Sequence, residues 1–294
     1  RRERLAPAGP TVRARLAQGR HQLRVGATST ASWTNQETGE TLLTGSGPWQ
    51  VQATTGGIQV GNRTVFGSAV VLRGEDGQFR LGDTGYRGKL VVTRTYSGLT
   101  AVNSLSLEQY LCGVVPSEMP ASWPGDALAA QAVAARTYVL HKISENQDRP
   151  WNLKALDLAY RGKERERPSS TRAVKQTQGM ALTHAGEVFK AYFHSTCGGH
   201  TAPADKIFGY ASVAPLQGVR CNWCRDSTYY SWETRMAAST LASKLSRFGV
   251  RQITSIEALG KGTDGHAQSI LVNGKRINAN QFRLAVGAQN LRST

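Results

Sequence analysis

The sequence of 294 residues has no uninterrupted apolar run near the ~20 residues that a membrane-spanning helix needs, which excludes a channel or transmembrane enzyme over this segment. It has four cysteines, too few for a small disulfide-stabilised scaffold. Charged residues make up 19% and hydrophobic residues 39%, a balance that excludes disorder as the state of the whole chain. A basic helix and a block of basic and aromatic residues of the RNA-binding type are also missing.

Positive charge is what the sequence has in excess. Its 36 lysines and arginines against 20 acidic residues give a net charge of +16, which favours a polyanionic partner such as nucleic acid, an acidic membrane surface or a cell-wall polymer. The basic residues are scattered along the chain, so the charge indicates anionic surroundings without naming them.

Composition and turn signals divide the chain into four parts and predict an α+β fold. Residues 1–10 are predicted to be a basic tail or linker, and residues 11–104 a β-rich region of seven or eight strands. Residues 105–234 are predicted to be a catalytic core with a central helix and a Cys/His cluster, and residues 235–294 a C-terminal α/β part. The β-rich and helical blocks alternate without a βαβ rhythm, which favours α+β.

The strongest predicted helix is DALAAQAVAARTYVLHKI, with Pro124 near its start and Asp126 in its first turn. Apolar residues recur at i, i+4, i+7 and i+11, which predicts one buried stripe. The stripe consists of Leu128, Ala132, Ala135 and Val139. Because alanines let another element pack closely, we predict a buried central helix.

Weaker signals follow this helix. Residues 145–172 are predicted to be a long polar loop, with a solvated Glu/Arg stretch at 164–167. A strand pair is predicted over MALTHAGEVFKAYFHS, turning at 185–186. On such a strand Lys190, Tyr192 and His194 would share one face, which either lines a cleft or simply faces solvent.

The C-terminal part is predicted to have a helix at 237–248. Strands are predicted after it, at QITSIEAL, AQSILV, KRINA and FRLAVG.

Glu118 lies in the segment VVPSEMPASWP as a lone carboxylate among apolar residues. Apolar surroundings favour the neutral form of a carboxyl group, which suits a general acid for glycoside cleavage. The alternative is an ordinary surface or helix-capping glutamate.

The central helix offers three polar side chains, Gln131, Arg136 and Tyr138, in an otherwise alanine-rich element. A buried arginine needs a carboxylate partner, and Glu118 is a nearby candidate.

Three stretches of this sequence resemble the SpoIID family, which includes sporulation stage II protein D and amidase-enhancer proteins. They are VNSLSLEQYLCGVVPSEMPASWPGDALAAQAVAARTYVL, AYFHSTCGGHTA and GKRINANQFRLAVG, and the resemblance extends over residues 11–292. It implies a single SpoIID-like domain over residues 11–294.

The resemblance also implies a function, that of a lytic transglycosylase which cleaves the MurNAc–GlcNAc bond of peptidoglycan and leaves 1,6-anhydro-MurNAc ends. The family's catalytic glutamate falls on Glu118 and its supporting arginine on Arg136. One carboxyl group suffices for such a reaction, whereas the usual hydrolases need two. The only other nearby acids are Glu108 and Asp126, and a helix start explains Asp126.

The implied location is extracytoplasmic, in the cell envelope or secreted. A signal peptide or membrane anchor upstream of Arg1 would be compatible with this location. Peptidoglycan glycan strands, and a wall amidase or other wall hydrolase, are the expected partners. A non-catalytic wall-binding enhancer of an amidase is the alternative function. A zinc-bearing nucleic-acid binder does not explain the 114–140 motif, so no nucleic acid is expected.

Two short pairs, Cys197-x2-His200 and Cys221-x2-Cys224, have the spacing of a tetrahedral Zn²⁺ site with three cysteines and one histidine. We predict such a zinc site, structural rather than catalytic, with His194 as a reserve ligand. The alternatives are a Cys221–Cys224 redox pair, a disulfide from Cys197 to one of them, or free thiols.

Aromatic residues in STYYSWE, residues 227–233, form a third signal, because aromatic rings stack on sugar faces. Core packing explains part of them equally well. With those above, the predicted substrate-binding set consists of Gln131, Tyr138, Lys190, Tyr192, His194, Tyr229 and Tyr230.

Overall fold

The computed structural model describes residues 2–4, 9–209, 212–262 and 264–293. The chain divides into two compact units, Arg1–Tyr192 and Phe193–Thr294. Strands and helices are both abundant, which confirms the α+β class. The unit boundary falls inside the predicted catalytic core of residues 105–234, so that core is not one structural unit. Among the helices within the described ranges, none combines the length and apolar composition that crossing a membrane requires.

The described residues of the first unit form sixteen strands. They are β1 (Arg2–Arg4), β2 (Thr11–Arg20), β3 (Gln22–Gly26), β4 (Ala31–Asn35), β5 (Thr41–Gly45), β6 (Trp49–Ala53), β7 (Gly57–Val60), β8 (Arg63–Phe66), β9 (Ala69–Gly74), β10 (Gln78–Leu81), β11 (Thr84–Arg87), β12 (Lys89–Thr95), β13 (Gly98–Ser106), β14 (Leu153–Lys154), β15 (Met180–His184) and β16 (Glu187–Val188).

Two large sheets of this unit enclose one apolar core. Their strand orders are β11-β10-β3-β6-β7-β8 and β14-β2-β13-β12-β9-β4-β5. Alternating residues of both sheets point into the core, as in β3, where Leu23 and Val25 are buried and their neighbours exposed. Trp33 and Trp49, one from each sheet, meet edge to face there at 6.1 Å between ring centroids. The predicted β-rich region is confirmed, but it contains the twelve strands β2–β13 rather than the seven or eight expected.

Three helices of the first unit follow β13 in the chain. They are α1 (Leu107–Glu118), α2 (Gly125–Glu145) and α3 (Pro168–Gln176). Helix α2 is the predicted central helix, and all four residues of its predicted stripe are buried. Helix α1 begins with a capping box between Ser106 and Gln109. The sequence does not predict α1 as a helix, because Gly113 and Pro116 interrupt its pattern.

Several expectations about this unit are wrong. Residues 2–4 of the predicted tail form β1, which pairs antiparallel with β15. The 164–167 stretch is more than a solvated loop, because Glu166 pairs with Arg87 at 2.6 Å and Glu164 accepts a hydrogen bond from the Gly85 amide at 2.8 Å. The second predicted strand after residue 180 ends at Val188, so the Lys-Tyr-His row is not part of a strand.

The second unit contains α4 (Ala204–Phe208), α5 (Ala238–Lys244), β17 (Ile256–Lys261), β18 (Ala267–Val272), β19 (Lys275–Asn278) and α6 (Ala279–Val286). Its three strands form an antiparallel sheet in the order β17-β18-β19, packed with α5 and α6 on a small apolar core. The predicted strand FRLAVG is wrong, because these residues lie mostly in α6. Asn278 caps that helix by accepting hydrogen bonds from the amides of Asn280 and Gln281.

Candidate functional site

Glu118 is the last residue of α1 and is half-buried. Its Oε1 accepts a hydrogen bond from the Ala159 amide at 2.6 Å. Within the described ranges Oε2 has no hydrogen-bond partner. Among the described residues, the carboxylate is therefore held by one oxygen only.

Tyr110 lies two turns before Glu118 on the same face of α1 and is fully buried. Burial raises the pKa of its hydroxyl, and the negative charges of Asp157 and Glu118 raise it further. That hydroxyl has no hydrogen-bond partner among the described residues. Two carboxylates thus lie within electrostatic reach of one buried hydroxyl.

Asp157 is a residue that sequence reasoning missed. It belongs to the polar segment after α2, where its Oδ2 accepts a hydrogen bond from the Lys154 amide at 2.8 Å. The same segment supplies the Ala159 amide to Glu118. Tyr160 anchors it by packing its ring against that of Tyr110, with the ring centroids 4.6 Å apart and the planes tilted by 42°. Since this segment has neither helical nor strand periodicity, no sequence signal indicated its position.

Arg136 does not pair with Glu118, so the predicted pairing is wrong. Its guanidinium donates two hydrogen bonds to Glu108, each at 2.8 Å. It also donates to the carbonyl oxygens of Val174 at 3.2 Å and Met180 at 3.1 Å. The side chain is fully buried and joins α1, α2, α3 and β15. Arg136 therefore holds α1, the helix that carries Glu118, through Glu108 rather than through Glu118 itself.

The other predicted residues of the first unit fall into two places. Gln131 is buried, and its Nε2 finds no hydrogen-bond partner in the described part of the chain. Tyr138 and Tyr192 meet with their ring centroids 6.1 Å apart, and Lys190 lies 5.9 Å above the Tyr192 ring. Lys190 also lies 3.9 Å from Glu145. These three residues form one surface cluster, whereas Gln131 lies in the core.

His194, Tyr229 and Tyr230 belong to the second unit. His194 and Tyr229 are exposed, and Tyr230 is half-buried. The guanidinium of Arg292 lies 3.9 Å from the centre of the Tyr229 ring, so one face of that ring is covered by a cation.

Three of the four predicted metal ligands come together in the second unit. The sulfurs of Cys197, Cys221 and Cys224 all lie within 4.8 Å of one another, with 3.5 Å from Cys197 to Cys224 and 4.0 Å from Cys221 to Cys224. A tetrahedral zinc with Zn–S bonds of about 2.3 Å places its sulfurs roughly 3.8 Å apart. All three are free thiols in this structure. The set could hold a metal ion.

Local backbone geometry produces this cluster. Gly198 and Gly199 have positive φ angles of 66° and 113°, which lets the chain turn tightly behind Cys197. The Cys221 amide then donates to the Gly199 carbonyl at 2.9 Å. His200 lies outside the three-sulfur group, and its Nδ1 donates to the Thr201 carbonyl at 2.8 Å. That hydrogen bond leaves Nε2 as the nitrogen with a free lone pair.

The thiols differ in acidity. Burial raises the pKa of Cys197, whereas a hydrogen bond from the Trp223 amide lowers the pKa of Cys221. Amide donors favour a thiolate, which is the form that binds metal ions.

Comparisons with known proteins agree with the family resemblance. The family model of SpoIID, described as stage II sporulation protein, matches residues 95–184, which include Glu118 and Arg136. An uncharacterized protein of Brachyspira hyodysenteriae is 34% identical over 233 residues, 77% of this chain and 62% of that protein. Stage II sporulation protein D of Bacillus subtilis is 30% identical over 64% of this chain and 59% of its own length.

A third relative, the amidase enhancer of Bacillus subtilis, is 35% identical over 98 residues, 33% of this chain and 13% of that protein. The chain thus spans about three fifths of the first two relatives and a small part of the third. The matched segment carries α1, with Glu118 as its last residue, and α2, and it ends before the cysteine cluster. The family match and these relatives together show a SpoIID domain over residues 95–184 of this chain.

Proposed function

We propose that this protein is a peptidoglycan lytic transglycosylase with Glu118 as its general acid and base. The observation that carries the proposal is the position of the Glu118 carboxyl group, half-buried at the end of α1. Its Oε1 accepts a hydrogen bond from the Ala159 amide, and its Oε2 has no hydrogen-bond partner among the described residues. The SpoIID match supports a role at the cell wall. The cleavage chemistry is the further part of this proposal.

The reaction needs one carboxyl group in two protonation states. Protonated Glu118 donates its proton to the glycosidic oxygen while the bond from that oxygen to C1 of MurNAc breaks. The resulting carboxylate, stabilised by the Ala159 amide, then accepts the proton of the 6-hydroxyl as its oxygen bonds to C1. No water enters, so the products together weigh as much as the substrate.

Glu118→Gln tests the proposal, because glutamine keeps the shape and the hydrogen bond from Ala159 but holds no transferable acid proton. Cleavage of purified glycan strands should fall roughly 100-fold to 10,000-fold, the usual contribution of a positioned acid or base. Glu187→Gln, at an exposed glutamate in β16, is the matched control and should cleave normally. Product release by the Glu118 variant at the control's rate would show that Glu118 is not the catalytic acid.

The mass of the products tests the type of reaction. Lytic cleavage gives 1,6-anhydro ends and no new reducing termini. Products heavier by one water would identify a hydrolase, which needs a second carboxylate to activate water. Asp157 is the candidate for it, since Asp157 and Glu118 both act on Tyr110, whereas Glu108 is bound by Arg136.

A non-catalytic enhancer of a wall amidase is the second candidate function. This function is favoured by the name of the third relative, amidase enhancer, which is similar to this chain over 98 residues. The same two variants separate the candidates. An enhancer would stimulate a purified wall amidase equally well with Glu118→Gln and with wild type, and would release no glycan product by itself.

We further propose that the three-cysteine group binds one Zn²⁺ as a structural ion, with Nε2 of His200 as the fourth ligand. The sulfur distances support the three cysteine ligands. The hydrogen bond on Nδ1 leaves Nε2 of His200 available, and this nitrogen would have to move toward the three sulfurs to complete the set. Four protein ligands leave no open position for water, so the ion would stabilise the fold without reacting. Elemental analysis of protein purified without chelator should find about one zinc per chain. A metal-free sample with a Cys221–Cys224 disulfide would contradict it.

The proposed substrate also places the protein outside the cytoplasm, in the envelope or secreted, because peptidoglycan is found there. Fractionation of cells producing the whole protein tests this point.

A further inference from the structure

An open surface pocket of about 470 Å³ lies beside α3 in the first unit. Its lining consists of Glu166, Arg167, Pro168, Thr171, Arg172 and Lys175. Neither the proposed cleavage nor the cysteine cluster uses any of these side chains. Three of the six lining residues are cationic, namely Arg167, Arg172 and Lys175.

The single carboxylate of the pocket is already neutralised. Glu166 accepts two hydrogen bonds, both at 2.6 Å, from the guanidinium of Arg87 outside the pocket. Arg167 is held in place because its Nη1 donates to the carbonyl oxygens of Glu164 and Glu166, each at 2.9 Å. The three cations of the lining are therefore not balanced by its carboxylate.

Helix α3 presents this charge from a rigid support. Its inner face is buried against the first unit through Ser170, Ala173 and Val174. Arg172 and Lys175 lie one turn apart on the outer face, are exposed, and make no ion pair with the described residues. Two long cationic side chains near a fixed arginine thus face solvent across one pocket.

We propose that this pocket binds the oxyanion groups of an acidic cell-surface polymer. Guanidinium and ammonium groups bind phosphate and carboxylate oxygens through charge-assisted hydrogen bonds, and arginine does so with two parallel bonds. The pocket is open rather than enclosed, so a polymer segment can enter and leave at its sides. The proposal assigns a function to part of the net charge of +16, and it is independent of the chemistry at Glu118. Phosphodiester and carboxylate polymers offer the same oxyanion chemistry.

The test is a binding measurement with the full chain at low salt. The probes are inorganic polyphosphate, polygalacturonate as a carboxylate polymer, and a neutral chitin oligosaccharide. Arg172→Ala/Lys175→Ala should bind its polyanion roughly tenfold more weakly than wild type, because each exposed ion pair contributes a factor of roughly two to five. Arg172→Lys/Lys175→Arg keeps both charges and should retain most of the affinity.

Arg63→Ala/Arg73→Ala is the matched control, since it removes two exposed positive charges from the sheets of the same unit. It should bind nearly as well as wild type. Polyphosphate binding alone would assign a phosphate polymer, and polygalacturonate binding alone a carboxylate polymer. Equal losses in both double variants, or no binding of either polyanion, would overturn the pocket. Glu118→Gln should bind like wild type, so a failure of the proposed cleavage leaves this result unaffected.

Discussion

In the first unit the surroundings of Glu118 are fixed by helices and a buried ion pair, whereas in the second unit the cysteine cluster lies where the chain has little regular structure. Around Arg136, three helices and a strand share one guanidinium. Residues 193–236 contain only α4 and a short 3-10 turn as regular helix, counted over the described residues. The comparison indicates that packing positions the first site, whereas in the second the zinc ion proposed above would cross-link the three thiols.

Removing Arg136 should give the largest effect and break the first half of this comparison. Arg136→Met keeps much of the side-chain volume but leaves Glu108 without its partner in a partly buried position. We expect the free energy of unfolding to fall by about 3–5 kcal/mol, as when one partner of a buried pair is removed. Urea denaturation followed by tryptophan fluorescence measures this change.

Arg136→Met/Glu108→Leu is the control, because it removes both charges and should recover part of the lost stability. A single variant as stable as wild type would contradict the structural role of the pair. Where Arg136→Met remains folded, its cleavage activity should fall through displacement of α1, and Arg136→Lys should restore it only in part, because lysine lacks the two-pronged geometry.

Cys224→Ser should give a smaller and more local effect, which sharpens the second half of the comparison. Loss of a metal ligand should speed amide hydrogen exchange over residues 193–236, because metal binding and local folding are linked. Exchange in α1 and α2 should not change. Cys112→Ser, in the first unit, is the control and should leave the 193–236 exchange as in wild type. If Cys224→Ser exchanges like wild type, no cross-link holds this segment.

The two sites also differ in what their sequences could predict. Three of the four predicted ligands were predictable from their spacing, because Cys221 and Cys224 form a short pair and only the 20-residue gap between the two pairs had to close to bring Cys197 to them. His200, the fourth, does not join the three sulfurs. Helix α2, of 21 residues, was predictable because its apolar stripe follows one helical face from Leu128 to Val139. Both are local patterns, and a local pattern can be recognised in the sequence without knowledge of the fold.

The partner of Arg136 and the support of Glu118 were not predictable in this way. Glu108 is 28 residues from Arg136, and Ala159 is 41 residues from Glu118. The sequence indicates that a buried arginine needs a carboxylate partner, but several carboxylates lie nearby in the sequence. Only the packing of α1 on α2 determines which of them pairs with Arg136. A backbone amide has no side-chain identity, so no residue pattern marks it. The capping motif at Asn278 was a signal for α6 that the short apolar run concealed.

Tyr110→Phe should have the smallest effect, and it should be stabilising. The hydroxyl is buried without a hydrogen-bond partner in the described residues, so removing it should raise the free energy of unfolding by about 1 kcal/mol at pH 7. Burial raises the pKa of Tyr110 above its ordinary value of 10.0, so its neutral form stabilises the fold below pH 10 and this contribution is lost as the pH rises further. The advantage of the phenylalanine variant should therefore grow above pH 10. Urea denaturation at pH 7 and pH 10.5 measures both points, with Tyr96→Phe as the control at an exposed tyrosine. A Phe variant that is less stable at pH 7 would show instead that the hydroxyl has a partner, for which the carboxylates of Glu118 and Asp157 are the nearest charges that act on it.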